Sequence, residues 1–168
     1  FPKKEAKNFV YRVHDTPDVD RIATLNNIIK KFGHSINNES SGKLSKSLNN
    51  LLKKVKGKSE QQMVETLTIR SMAKAVYTVD NIGHYGLAFD YYSHFTSPIR
   101  RYPDLIVHRL LSHYIDGGKS TDKEVLEKIC KHCSETEKVA SSAERDSIKY
   151  MQVKFLKNKI GEVFDGVI

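Results

Sequence analysis

The sequence predicts a mainly α-helical protein with one small β-hairpin, an α+β fold of about one domain. Five stretches carry apolar residues at the spacing of a helix face, with capping residues or glycines at their ends. One stretch is rich in aromatic and β-branched residues on both sides of a turn, which is typical of a hairpin. The 168 residues, of which 39% are hydrophobic, suffice to bury a core.

The first predicted helix follows an extended segment, VYRVHD, at residues 10–15. Thr16 or Asp15 can cap this helix, Pro17 fits its first position, and Gly33 ends it. Its apolar stripe consists of Val19, Ile22, Leu25, Ile29 and Phe32. Acidic residues are common in a first turn, so we favour a helix start over a metal cluster for Asp15, Asp18 and Asp20.

Two further amphipathic helices are predicted before the hairpin. The first has a stripe formed by Leu44, Leu48, Leu51, Leu52 and Val55. Its other side is either a solvated face or a surface that follows phosphates, and it carries Lys43, Lys46, Lys53, Lys54 and Lys56. Ser59 with Gln62 predicts a capping box for the next helix, which continues to about Lys74.

The predicted hairpin joins AVYTV at residues 75–79 to YGLAF at residues 85–89. After it, Ser97-Pro98 predicts a helical turn that kinks or restarts at Pro103 and then buries Ile106, Val107, Leu110 and Leu111.

One long helix is predicted to close the chain. Thr121 with Glu124 caps it, it runs to about Lys159, and Gly161 stops it. The strand-like GEVFDGVI follows at residues 161–168.

The net charge of +8 favours a polyanionic partner, nucleic acid before an acidic membrane surface, with a solvated lysine-rich surface as the alternative. No apolar run approaches the roughly 18 residues that cross a bilayer, and no secretory signal is apparent, so no membrane partner is expected. Cys130 and Cys133 lack further ligands at zinc spacing. Two reduced thiols suit a cytoplasmic protein.

Two arginines stand between two prolines in HFTSPIRRYPDLIVHR, residues 94–109, at the predicted start of a helix. A helix N-terminus already carries partial positive charge, so Arg100 and Arg101 either point into water or bind something strongly negative. Asp104 can hold one of them ready to fork onto a phosphate, or form only a weak surface pair. Glu144 lies in the long helix among small residues that let a ligand approach closely.

The stretch YGLAFDYYSHFTSPIRRYPDLIVHRLL, residues 85–111, resembles the signature of the RNase II/RNase R exoribonuclease family, closest to its bacterial RNase R members. YRVHDTPD at residues 11–18 and SSAERD at residues 141–146 resemble the same family at fitting distances. The resemblance implies that residues 1–160 are the C-terminal helical part of an RNB-type catalytic domain. It also implies that residues 161–168 begin the OB-fold RNA-binding domain that follows.

This resemblance implies a 3′-to-5′ exoribonuclease that hydrolyses single-stranded RNA to nucleoside 5′-monophosphates with the help of Mg²⁺. The family's metal site is an aspartate cluster spaced like D-x5-D-x-D-D, which this sequence does not contain. Mg²⁺ is therefore expected in the full-length protein and not on this chain, which we expect to be inactive alone. The alternative is a non-catalytic helical RNA-binding module, or more weakly a structural helical protein.

The resemblance also assigns site residues. Arg100 is the expected catalytic arginine at the scissile phosphate, and Glu144 is expected near the 3′-terminal nucleotides. Arg101, Tyr102 and His94 are further candidates for RNA contact. For Tyr102 and His94 packing is the alternative, and for Arg101 a bracing pair with Asp104. A separated half-domain exposes apolar surface, so self-association is also expected.

Overall fold

The computed structural model describes residues 7–37 and 41–164. Within them five α-helices, one short 3₁₀ helix and two strands follow one another along the chain. The helices are α1 (Val19–Lys30), α2 (Ser41–Val55), α3 (Gln61–Ser71), α4 (Tyr102–Ile115) and α5 (Lys123–Lys157). The strands are β1 (Tyr11–Val13) and β2 (Val76–Thr78), and the 3₁₀ helix is Tyr85–Leu87. The predicted class, mainly α with a small antiparallel sheet, is confirmed.

The position predicted for the hairpin is wrong. Strand β2 pairs antiparallel with the distant β1, with Arg12 opposite Tyr77, and not with residues 85–89. Those residues fold back on themselves, because the His84 amide donates to the Phe89 carbonyl (2.8 Å) and Ala88 adopts a left-handed φ of 55°. The Tyr85 amide also donates to the His14 carbonyl at 2.8 Å, which fixes this loop just beyond β1.

Helices α1, α2 and α3 form a three-helix unit with its own core. They pack a wholly aliphatic cluster made of Ile22, Leu25, Ile29, Ile36, Leu44, Leu48, Leu51, Val55 and Val64. The predicted stripes of α1 and α2 supply most of this core. Val19 and Phe32, at the two ends of the first stripe, are exposed instead. The chain enters this unit after β1 and leaves it into β2.

The second unit, the sheet unit, consists of the two strands, α4 and the first third of α5. Its core combines aromatic, aliphatic and thiol side chains: Phe9, Val10, Tyr11, Val13, Tyr77, Val79, Ile106, Val107, Leu110, Tyr114, Leu126, Cys130 and Cys133. Helix α5 also satisfies the backbone of the β2 segment. The Tyr77 amide donates to Ser134 Oγ (2.9 Å) and the Val79 amide to Glu127 Oε2 (2.8 Å). These bonds fix the sheet against α5.

Three predicted helix caps are displaced along the chain. The N-cap of α1 is Asp18, whose Oδ1 accepts from the Asp20 and Arg21 amides, rather than Thr16 or Asp15. Helix α3 starts after Glu60 with no side-chain cap, so the Ser59–Gln62 box is wrong. Asp122, and not Thr121, caps α5. In each case a neighbouring residue occupies the position that faces the open amides, which spacing alone does not identify.

Helix α4 begins at Tyr102, so of the kink or restart predicted at Pro103 the structure shows the restart. Proline is tolerated in a first turn because no intrahelical acceptor is available to its nitrogen there. Leu111, expected in the core, is exposed.

Helix α5 buries no side chain after Ser134, and many of its later apolar residues are exposed. Residues 162–164 form no strand, and residues 165–168 lie outside the described residues, so the OB-fold strand stays a prediction. In the part of the chain that the structure describes, no helix is long and apolar enough to cross a membrane.

Candidate functional site

A cleft of about 470 Å³ lies between the start of α4 and the middle of α5. Four of the five predicted site residues line it: Arg100, Arg101, Tyr102 and Glu144. The α5 wall consists of residues on one face of the helix, among them the small Ala140 and Ser141. Small side chains at this point leave room for a ligand between the two walls.

The charge of Arg101 is balanced by an ion pair with the buried Asp104. Its Nη2 lies 2.8 Å from Oδ2 of Asp104, whose side chain is 0% exposed, and it also donates to Thr96 Oγ1 at 3.3 Å. The same Oδ2 accepts from the Ser97 amide at 2.7 Å. Of the two arginines that Asp104 was expected to hold, the structure selects Arg101.

Arg100 is exposed at the edge of the cleft. Its backbone amide donates to the Ser97 carbonyl (3.3 Å), and its Nη2 donates to Ser97 Oγ at 3.3 Å. Among the described residues it forms no ion pair within 4.0 Å. Adjacent arginines therefore differ: the charge of Arg101 is balanced by Asp104, and that of Arg100 is available to an anion.

The α5 wall shows the same contrast between carboxylates. Glu137 accepts two hydrogen bonds from Arg12, at 2.7 and 3.0 Å, and the Arg12 guanidinium lies 4.5 Å from the centre of the Tyr77 ring. Glu144, two turns further along α5, is exposed and has no ion pair in the described part of the chain. The cleft thus presents one available cation and one available carboxylate.

His94 does not line this cleft. It lies behind Tyr77, with which it shares a hydrogen bond of 2.9 Å between Nδ1 and Oη, and its ring meets Tyr92 edge-on. Burial lowers the pKa of His94, and the nearby positive charge of Arg101 lowers it further. Its geometry is that of a support for Tyr77, and its expected RNA contact stays a prediction.

Three residues of the site were not singled out from the sequence: Tyr77, Glu137 and Arg12. Glu137 precedes Glu144 by seven residues and shares its helix face, so helical spacing alone would have found it. Arg12 lies 125 positions away from Glu137, and no local signal connects them.

The described residues do not provide a metal site. Within residues 7–37 and 41–164, no three His, Cys, Asp or Glu side chains come together in a way that could hold a metal ion. Asp15 accepts from Thr16 and Asp18 caps α1. Cys130 and Cys133 are buried free thiols, and burial raises the pKa of Cys130 to about 12. The two thiols are not the oxygen ligands that Mg²⁺ prefers, and the aspartates do not come together as a group of three ligands among the described residues.

Comparison with known proteins places this geometry in context. The RNB domain model matches residues 1–117. Ribonuclease R of Thermotoga maritima is 46% identical over 173 residues, covering 95% of this chain and 23% of the relative. Ribonuclease R of Aquifex aeolicus is 38% identical, also over 95% of this chain and 23% of the relative. The chain thus spans about a quarter of the length of these relatives.

Solved structures give the same result. Mycoplasma genitalium RNase R in complex with double-stranded RNA superposes with a TM-score of 0.82 and 28% identity, covering 98% of this chain and 31% of that one. Yeast Ssd1, described as a pseudonuclease, superposes with a TM-score of 0.65 and 29% identity, over 79% of this chain and 17% of that one. The resemblance found at residues 85–111 is thereby confirmed.

Proposed function

Because this chain belongs to the RNB domain family, we propose that residues 1–160 are the C-terminal helical part of a catalytic domain in a 3′-to-5′ exoribonuclease. A polypeptide of the relatives' length that contains this chain, called the longer protein below, would hydrolyse single-stranded RNA to nucleoside 5′-monophosphates. The ribonuclease R relatives support this proposal, as does the similarity to M. genitalium RNase R solved with ribose-methylated single-stranded RNA. Residues 161–168 would begin the OB-fold domain, and a cytoplasmic location stays a prediction.

The observation that carries the proposal is the unequal pairing of the two arginines at the cleft. Hydrolysis of a phosphodiester increases the negative charge on the attacked phosphate. A guanidinium held at the right place stabilises that charge through two parallel hydrogen bonds. Arg101 has its charge balanced by Asp104, whereas Arg100 stands at the cleft edge without an ion pair among the described residues. Arg100 is therefore the proposed catalytic arginine.

The opposite wall would position the RNA end. The Glu144 carboxylate can accept hydrogen bonds from ribose hydroxyls, and the half-exposed ring of Tyr102 offers a face for stacking against a base. Arg101 would act through the turn that it braces and not through direct contact. Mg²⁺ is proposed for the longer protein only, on carboxylates outside this chain, because the described residues do not provide its site.

A second function is favoured by one specific observation. Yeast Ssd1, which superposes on 79% of this chain, is described as a pseudonuclease, so this arrangement of helices also occurs in a protein described as lacking nuclease activity. The alternative is a non-catalytic helical RNA-binding module. In that case Arg100 would hold a phosphate without promoting its hydrolysis.

Product analysis separates the two functions. With 3′-labelled single-stranded RNA and Mg²⁺, we expect the longer protein to release labelled nucleoside 5′-monophosphate. We expect the 168-residue chain alone to release none. Binding without release by the longer protein would favour the RNA-binding module. EDTA-sensitive mononucleotide release by the chain alone would show that the metal ligands are present here after all.

A further inference from the structure

We infer that Asp104 is a positioning residue, which fixes the turn of residues 97–101 and thereby the place of Arg100 at the cleft. The inference rests on the proposed function of Arg100. It assigns to Asp104 a part in turnover that is separate from its part in stability.

Asp104 is completely buried. It is the third residue of α4, its side chain is 0% exposed, and it is the only charged residue with a buried side chain among the described residues. An ionised carboxylate is costly to bury, so it is found inside a protein where several donors meet it. Here those donors come from one short segment.

Asp104 connects the two ends of the turn through a single carboxylate oxygen. Its Oδ2 accepts from the Ser97 amide at 2.7 Å and from Arg101 Nη2 at 2.8 Å. The Ser97 carbonyl in turn accepts from the Arg100 and Arg101 amides, at 3.3 and 3.0 Å. One carboxylate oxygen thus ties the first residue of the turn to its last, and Arg100 lies between them.

Apart from Asp104, few contacts fix the turn of residues 97–101. Ile99, at its tip, is fully exposed, so its side chain does not anchor the turn. The side chain of Arg100 has only a 3.3 Å hydrogen bond to Ser97, which belongs to the same turn. The position of Arg100 relative to α5 therefore depends on the Asp104 anchor.

The Arg101–Asp104 ion pair leaves two of its polar atoms unused. Asp104 Oδ1 and Arg101 Nε are both buried without a hydrogen-bond partner among the described residues. A side-on pair through Nε and Nη2 would satisfy both atoms. Instead one oxygen takes both the Arg101 and Ser97 contacts. The carboxylate is thus oriented so that Oδ2 reaches the Ser97 amide, and the ion pair with Arg101 has one hydrogen bond instead of two.

A double-mutant cycle in the longer protein tests the inference, with single-turnover cleavage of single-stranded RNA as the readout. We expect Arg100→Ala to slow cleavage about 100- to 1000-fold. We expect Asp104→Asn to slow it by up to about 100-fold, which a displacement of a catalytic group by about 1 Å can cost. In both variants RNA affinity should stay within about twofold. The control is Asp80→Asn, which removes an exposed carboxylate paired with Lys123 and should cleave normally.

The combined variant decides between positioning and general damage. If Asp104 acts through Arg100, Arg100→Ala with Asp104→Asn is no slower than Arg100→Ala alone. If the two losses multiply, or if Asp104→Asn cleaves like the wild type while Arg100→Ala is slow, the inference is wrong. If Arg100→Ala itself cleaves normally, it is the proposed function that fails.

Hydrogen exchange supplies a readout that does not depend on activity. In Asp104→Asn we expect faster exchange at the amides of Ser97, Ile99, Arg100 and Arg101 and unchanged exchange in β1 and β2. Unchanged exchange at residues 97–101 would overturn the inference. Should Asp104→Asn fold poorly, Asp104→Glu keeps the charge and shifts the carboxylate by one methylene. The same loss of turnover and the same exchange pattern are then expected, and wild-type behaviour would overturn the inference.

Discussion

The three-helix unit and the sheet unit differ most in where their charges stand. Residues 18–75 contain eleven Lys and Arg against five Asp and Glu, whereas residues 76–168 contain thirteen of each. Most of the net charge of +8 thus belongs to the three-helix unit. The candidate cleft lies between the start of α4 and the middle of α5, within residues 76–168, which are electrically balanced as a whole.

This difference shows that net charge and specific chemistry are located separately. A basic surface attracts any polyanion at long range, but it does not select an atom. In the cleft, charges are balanced one by one: Asp104 meets Arg101, and Arg12 meets Glu137, which leaves Arg100 and Glu144 available. The two units also differ inside, since the three-helix core is aliphatic while the sheet unit buries the carboxyl side chain of Asp104.

The largest expected effect on stability follows from that buried charge. Arg101→Ala leaves the Asp104 carboxylate buried without its cation, so we expect the free energy of unfolding to fall by about 3–5 kcal/mol. Urea denaturation of the 168-residue chain measures this. Arg21→Ala, an exposed arginine of the three-helix unit, is the control and should change stability by less than about 0.5 kcal/mol. If both variants lose the same free energy of unfolding, the proposed difference between the units is wrong.

A smaller effect is expected from the lysine face of α2. Lys46→Gln, Lys53→Gln and Lys56→Gln together should weaken binding of single-stranded RNA and make the log–log salt slope shallower by about 2, at about 0.7 per lost phosphate contact. The control removes the same charge from the balanced region through Lys119→Gln, Lys128→Gln and Lys131→Gln. An RNA affinity that does not respond to salt at all would favour a structural role for the basic face.

The smallest expected effect is a difference between the two units in how much stability each loses in mild acid. Burial lowers the pKa of His94 and of His84 in the sheet unit, so the unfolded chain binds protons there more readily than the folded one. The resulting stability is complete above about pH 6.5 and decreases as the pH falls from there toward 5. In the three-helix unit, by contrast, the ring of His34 lies 3.2 Å from the carboxylate of Glu60.

Hydrogen exchange at pH 7 and pH 5, corrected for intrinsic rates, measures this difference. Protection in the sheet unit should decrease more than protection in the three-helix unit, and His94→Gln should reduce the decrease. Exposed His132→Gln is the control and should leave it unchanged. A greater loss of protection in the three-helix unit would contradict the assignment.

Helical periodicity was sufficient to predict most of the fold. All five helices appear where apolar stripes or end signals predicted them, and the stripes of α1 and α2 bury most of their residues in the core of the three-helix unit. The sheet was placed wrongly because its strands are more than sixty positions apart, and pairing at that distance depends on the packing of α5 against β2. Local propensity recognised β2 but could not name its partner.

The candidate site was predicted only in part, for a similar reason. The motif at residues 94–109 drew attention to Arg100, Arg101 and Asp104, because two cations at a helix start need an explanation. Which arginine Asp104 holds depends on where α4 begins, one residue after Arg101. The contacts of Arg12 with Glu137 and of Tyr77 with His94 join distant segments, and they became visible only in the folded chain.

The most direct test of the central claim measures cleavage and binding side by side in the longer protein. Arg100→Ala should slow single-turnover cleavage at saturating RNA about 100- to 1000-fold, equivalent to about 2.7–4 kcal/mol, with little change in affinity. Arg100→Lys should rescue little, because lysine keeps the charge but lacks the planar fork. The three substitutions at Lys46, Lys53 and Lys56 should do the reverse, weakening binding while saturated cleavage stays normal. If Arg100→Ala cleaves normally, or if its cleavage and binding fall by the same factor, Arg100 is not the catalytic arginine.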